Sequence, residues 1–442
     1  MAATNTTAIK KYWIQMKVLF TIFCTLTALF SFSQSTFQSF LDSGKKEYRY
    51  QYDQYESNYS KAYSLFQEAV KLQPTNTEAR YFFGYAIDKV NAQTGAELNQ
   101  SKLALTLLAS EQFEYIIQQE PNYKGEILVL DPYAKLSAIW GSLALSYLNQ
   151  NQKDSAVWAL KEGKKRGGFI NPLLEYNRQM LASCNPNAVL LSIGDNIIFP
   201  IMYLQLVEGY RTDVSLLDQN LLHSEWYPKY LKRCGIKISY SDQEIDSLSY
   251  KKWKPTHIKI ENKQKKGEAI SWVLKPTYQQ DYILRGDLLL LNIIKNNFFK
   301  REFYFSFFVM NDTSLNLFMD EFITNDGTVS RIQVRKNIEL PRLSISKNFK
   351  KYSIENVREE EIHYSQDAQF IWNTVRAAYI MNINGLYQKG QVKEAEALYG
   401  EMNKRLPLEK LPLYNDYFKE IYEDVTGIIK EGQPLIRAID KN

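Results

Sequence analysis

The chain has 442 residues, 45% hydrophobic and 14% aromatic, which excludes wholesale disorder and sets an expectation of two or three domains. Its formal charge is +5, but Lys10, Lys11 and Lys17 lie in a leader expected to be removed, which leaves +2 and no case for nucleic acid as a partner.

That leader is residues 1–33. A basic stretch ending at Lys17 runs into the uncharged apolar block Val18 to Phe32, and Ser31-Phe32-Ser33 puts small residues where a signal peptidase reads, with cleavage after Ser33. The expectation is an exported, periplasmic protein. A retained N-terminal anchor is the alternative, although a block of about fifteen residues is short of the ~20 that a spanning helix needs. Bulky Phe23 before Cys24 argues against a lipid anchor there.

Residues 34–183 carry a repeating helical pattern. Ala62, Phe66, Ala69 and Pro74 fall at offsets 0, 4, 7 and 12: small residues let antiparallel helices approach, the aromatic fills between them, and proline closes the second helix. Gly84 takes the small first-helix position of the next unit, which Ala109, Phe113 and Pro121 close, with Asn91 to Ser101 as an insertion. Trp140, Leu143, Ala144, Tyr147, Ala156 and Leu160 mark a third unit around the turn Asn149 to Gln152. Near the other end, Leu386, Ala395, Tyr399 and Pro407 repeat the pattern, and Pro412 to Ile429 reads as a capping helix, so residues 346–442 are a C-terminal helical hairpin with its cap. These residues resemble the tetratricopeptide repeat family, which implies a stacked surface that holds a protein partner. The aromatics of the repeats are expected in the core. The tyrosines between Tyr48 and Tyr59 are so closely spaced that some are expected to face water or a partner.

Residues 184–345 change character. Ala188 to Ile193 is a continuous apolar run, as a buried parallel strand requires, and it ends in Gly194-Asp195-Asn196. A helix through Tyr203 to Glu208, a strand at Asp213 to Leu217 and a helix with Trp226, Tyr230 and Leu231 complete a βαβα unit. Thr256 to Glu261 and Ala269 to Leu274 alternate like a hairpin, and Gly286 to Ile294 leads as a helix into a strand over Phe303 to Val309. The predicted sheet is mixed and Rossmann-like.

The motifs Gly194-Asp195-Asn196, Phe199-Pro200, Tyr203-Leu204-Gln205, Glu225-Trp226-Tyr227 and Arg285-Gly286-Asp287-Leu288 make this region resemble the soluble C-terminal part of bacterial O-mannosyltransferase-like membrane proteins. The resemblance implies an envelope or glycosylation setting without carrying an activity over, because the membrane-embedded half is not recognisable here. Ile197 stands where that family has a second acid, and Glu225 where it has Asp.

Ligands of open α/β sheets collect at the carboxyl ends of strands, which points to Asp195, Asn196, Asp218, Gln219 and Asn220. The plainer role for Asp195 or Asn196 is to cap the following helix. His223 beside Glu225 could bring a base and an acid to one pocket; His257 and His363 read as surface or packing residues. The lysines from Lys251 to Lys266 around Trp253 read either as a patch for an anionic polymer or lipid headgroup or as a solvated hairpin face. Cys184 and Cys234 either pair in an oxidising compartment or stay as buried thiols. Phosphate-loop, zinc-protease, serine-hydrolase and CxxC motifs do not occur, so no catalytic residue, metal or cofactor is expected.

The resulting expectation is an α plus α/β chain: helical hairpins of the tetratricopeptide type flanking the mixed-sheet domain. Its function would be non-enzymatic, an envelope scaffold binding a protein partner through the hairpins, or alternatively a glycan-binding or glycosyltransferase-associated protein using the strand ends.

Overall fold

The computed structural model describes residues 34–49, 57–306, 314–335 and 352–431. The leader, the tyrosines from Tyr50 to Tyr55 and the end of the predicted strand beyond Ser306 lie outside the described residues.

Seven helices open the described chain: α1 (34–48), α2 (Tyr59–Leu72), α3 (Thr77–Asn91), α4 (Leu103–Gln119), α5 (Pro132–Asn149), α6 (Lys153–Lys165) and α7 (Asn171–Ser183). Their starts follow capping chemistry. Asn58 Oδ1 accepts from the Lys61 N–H, Asn76 Oδ1 from Ala79, and Asp131 Oδ1 from Ala134, ahead of Pro132. Helix α2 packs on α3, α3 on α4 and α5 on α6, as antiparallel hairpins. The predicted small and aromatic positions are where the hairpins close. Ala62, Phe66, Ala69, Ala109, Phe113, Trp140, Ala156 and Leu160 are buried, Tyr147 is half-buried, and Pro74 lies just past the end of α2. Gly84 is required by contact: a Cβ there would lie 2.6 Å from Phe113 Cε2. The insertion after α3 forms a 3₁₀ turn, Gly95–Gln100. Tyr48 is buried, its ring edge-on to Tyr59 at 5.2 Å, so it is not among the tyrosines that face water.

The α/β domain follows. Strand β1 (Val189–Ser192) leads through α8 (Asp195–Leu206) to β2 (Ser215–Asp218). Strand β2 starts two residues later than predicted, because Asp213 is engaged by Arg211 and by the Asn187 N–H. After α9 (Trp226–Arg233) and the short α10 (Asp242–Ser247) comes a small β region. It holds β3 (Lys251–Lys252), the hairpin β4 (Thr256–Glu261) and β5 (Ala269–Leu274), and β6 (Tyr282–Ile283). Helix α11 (Arg285–Asn297) then leads to β7 (Phe303–Ser306), and β8 (Ile323–Asn325) and β9 (Val329–Ile332) close the main sheet.

That sheet has five strands in the order β2-β1-β7-β9-β8. Strand β1 runs parallel to β2 (Leu190 beside Leu216) and to β7 (Leu190 beside Tyr304), while β9 is antiparallel to β7 and β8. The sheet is therefore mixed, and β1, held between two parallel neighbours, is buried at every residue, which explains the unbroken apolar run. The β4–β5 hairpin is a separate two-stranded sheet; Ile258 and Ile260 point inward while His257, Lys259 and Glu261 face water.

The C-terminal helices are α12 (Glu359–Tyr364), α13 (Gln366–Gln388), α14 (Val392–Arg405) and α15 (Asp416–Glu431). Helices α13 and α14 form the predicted hairpin around Gly390, with Ala395 buried between them and Pro407 partly covered beyond α14. The two helical regions meet in space, since Trp372 Nε1 donates to the Pro172 carbonyl and the Trp372 ring packs edge-on against Tyr176. Cys184 and Cys234 are both free; Cys184 is buried and Cys234 exposed, so neither the disulfide nor a pair of buried thiols is formed. Cys234 ends α9 and points outward where the chain turns into the loop after it.

Candidate functional site

The α/β domain sits against the helical hairpins rather than beside them. Helix α8 packs on α5 and α7, and a Cβ on Gly141 of α5 would lie 2.2 Å from the Phe199 ring, so backbone and aromatic are in direct contact. The 3₁₀ insertion reaches over to the same domain: Trp226 Nε1 donates to the Gly95 carbonyl at 3.1 Å. Between these contacts lies a groove of about 520 Å³. Ala96, Asn99, Gln100 and Asn149 line it from the helical side, and His223, Glu225, Trp226, Lys229, Arg233 and Arg285 from the α/β side.

The turn from β2 into α9 delivers His223 and Glu225. Asp218, at the end of β2, accepts at Oδ1 from the Asn220 N–H (2.9 Å) and holds the 3₁₀ turn Asn220–His223, while its own N–H donates to the Tyr227 hydroxyl at 2.8 Å. Ser224 Oγ accepts from the Tyr227 N–H and starts α9. The His223 ring lies on the backbone at the start of α11: a Cβ on Gly286 would be 2.5 Å from Nε2, and the Gly286 N–H donates to Nδ1 at 3.4 Å. Burial lowers the His223 pKa, with nearby Arg285 adding to this and Asp287 opposing it, which favours the neutral ring, and a neutral ring that accepts at Nδ1 carries its proton on Nε2.

The cations of the groove are partly committed. Arg233 donates to Asn149 Oδ1 at 2.7 Å, and Lys229 pairs with Asp246 at 2.5 Å. Arg285 donates through Nη2 to the Ile245 carbonyl, but its buried Nε has no hydrogen-bond partner among the described residues. With one acid, Glu225, against Lys229, Arg233 and Arg285, the groove wall is net positive and rich in planar amide and guanidinium groups.

The other predicted residues go elsewhere. Asp195 and Asn196 do not cap α8 with their side chains, because Gly194, in the left-handed region at φ 92°, takes the cap position and the two residues begin the helix itself. Asn196 Nδ2 instead donates to Asp367 Oδ1 at 2.7 Å, tying α8 to the C-terminal helices. Asp195 is exposed outside the groove, though crowding by protein raises its carboxyl, with Lys135 pulling the other way and Asp88 adding to the rise. Burial, then the charge of Asp195, pushes the Asp218 carboxyl up to about 7. Gln219 is buried, donating to the Leu315 carbonyl. Sequence reasoning thus found His223 and Glu225 together but placed Asp195 and Asn196 with them, and it missed Arg285 and Arg233 as groove residues. Arg285 opens a helix after the isolated pair β3–β6, and only the fold brings it to His223.

A larger depression, about 610 Å³, lies between Asn122, Lys124 and the C-terminal residues His363, Gln366, Gln369, Tyr414 and Asn415. It holds no acid and none of the predicted site residues. Among the described residues no cluster of three or more His, Cys, Asp or Glu is placed to hold a metal ion, and no helix is long and apolar enough to cross a membrane.

Residues 174–275 match the family model described as TMEM260-associated domain 2. By that description the family is tied to a membrane protein. The match runs from α7 through β5, so it takes in β1, β2, the His223 to Arg233 wall of the groove and the lysine-rich hairpin, and leaves out Arg285 and helices α1 to α6. No curated protein and no solved structure matches the chain.

Proposed function

We propose that the chain is a non-catalytic recognition protein of the cell envelope, exported to the periplasm, in which hairpins of the tetratricopeptide type form a rigid wall. Clamped to that wall is an α/β domain akin to the soluble region of O-mannosyltransferase-like membrane proteins, and a polar, acidic glycan binds between the two. One observation carries this reading: side chains from both halves converge on a single groove of ligand size, whose wall is net positive and dense in amides. The inner face of α5, where a peptide partner of a tetratricopeptide repeat would lie, is filled by α8 through Gly141 and Phe199. The reading is one of binding rather than acid–base chemistry, because His223 is occupied at Nδ1 by the Gly286 N–H and covered by that backbone.

A second reading, a protein partner held by the outside of the hairpins, is favoured by exposed apolar side chains there, Val129 at 74% and Trp158 at 43%. An oligosaccharide array probed with the mature chain and with Arg285→Ala separates the two. The first reading expects acidic oligosaccharides to be retained by the wild type and lost, at least tenfold, by the variant. An array empty for both proteins, with an envelope protein captured only when Trp158 and Val129 are intact, would replace it with the second.

A further inference from the structure

Positive charge is concentrated on one small part of this protein. Residues 249–281 hold eight lysines and three acidic residues, a surplus of five, equal to the +5 of the entire chain, so everything else sums to zero. This segment is the small β region from β3 to the start of β6, and it contains no arginine. Two lysines are locally neutralised, Lys259 by Glu261 at 2.5 Å and Lys265 by Glu268 at 2.8 Å. Lys251, Lys252, Lys254, Lys263, Lys266 and Lys275 are exposed and form no ion pair among the described residues.

Aromatic and aliphatic groups are interleaved with these charges and also face water. Tyr250 is 64% exposed, Tyr278 48% and Val273 45%. The two tyrosines flank Tyr282: Tyr250 packs edge-on against its ring at 5.7 Å, and the Tyr278 backbone bridges to it. Lys251 Nζ lies 5.3 Å from the Trp253 ring centre on the same small sheet. From there the six-residue strand β4 carries the surface some 20 Å to the hairpin tip, where Lys263 and Lys266 project.

We infer that this β region docks the protein onto an anionic membrane surface, with the lysines meeting lipid phosphates and Tyr250, Tyr278 and Val273 entering the headgroup layer. The inference is independent of the groove. A single small anion would need converging donors, whereas these cations are spread over the exposed surface of the whole segment, from Lys251 to the hairpin tip and back to Lys275. Lysine is a compact, strongly hydrated point charge on a flexible stem, suited to a field of phosphates rather than to a forked contact. Tyrosine is the side chain whose apolar ring and polar tip suit the membrane–water boundary. Exposed Val273 has a place in a lipid layer and none against a nucleic-acid backbone.

The test is sedimentation of the mature chain with phosphatidylcholine vesicles and with vesicles of phosphatidylcholine mixed with phosphatidylglycerol. Binding is expected for the mixed vesicles alone, weakening as salt rises. The triple variant Lys251→Gln, Lys252→Gln, Lys254→Gln should bind about a hundredfold more weakly, at about fivefold per lysine neutralised. Tyr250→Ala should lose several-fold at unchanged thermal stability. Lack of binding to the mixed vesicles, or equal binding to neutral ones, overturns the inference. So does full displacement by millimolar inorganic phosphate, which would indicate one anion site. Tighter retention of a single-stranded oligonucleotide than of the mixed vesicles would reassign the surface to nucleic acid.

Discussion

At the scale of single residues, the groove depends on Asp218, whose carboxyl holds the turn that carries His223. Burial and Asp195 raise that carboxyl to about 7 in the folded chain, against about 4 in an unfolded one. The folded state therefore holds a proton that the unfolded state has lost across that window. The stability this group contributes is complete below about pH 4 and is lost as pH rises through about 7. Asp218→Asn keeps the Oδ1 acceptor and removes the titration, so the decline in urea midpoint between these pH values should flatten in the variant; an unchanged slope would contradict the assignment. The same scale shows what local sequence conveys. His223 and Glu225 are two positions apart on one turn, and their sharing of a pocket was legible. Asp195 and Asn196 sit at the strand end as read, but the left-handed Gly194 moves them past the cap and into the helix, a backbone detail that residue type does not reveal.

At the scale of elements, the helical hairpins were the most legible part, because close packing forces small residues to recur at fixed spacing. Gly84 illustrates the constraint. Gly84→Ala puts a methyl 2.6 Å from the fully buried Phe113 ring, and overpacking of this kind costs about 1–3 kcal/mol. A fall in thermal midpoint with retained helical content is expected, measured by circular dichroism; unaltered stability would mean that α3 and α4 are not packed as described. The β4–β5 hairpin was equally legible from its alternation, and its residue bounds coincide with those read from the pattern. Its separation from the main sheet was not, because period-two alternation identifies an exposed face without naming the neighbour.

At the scale of the whole molecule, the least legible feature is how the parts are clamped. Asp131 at the start of α5 and Asp367 at the start of α13 exchange hydrogen bonds: the Asp131 N–H donates to Asp367 Oδ2 at 2.6 Å, and the Asp367 N–H to Asp131 Oδ2 at 2.9 Å. Ser365 Oγ also donates to Asp131, and Asn196 of α8 to Asp367, so one buried cluster joins the hairpins, the α/β domain and the C-terminal helices. The two acids lie 236 residues apart, and each reads locally as an ordinary helix-start acid. The groove has the same origin, since it exists only where the Gly95–Gln100 insertion lies over the turn after β2. That is why its location had to come from the fold. Hydrogen exchange of the protein, with and without an acidic oligosaccharide retained on the array, tests the groove most directly. Slowed exchange confined to residues 95–100, 219–233 and 285–288 is the result this account requires; protection on the outer faces of the hairpins, or none anywhere, would contradict it.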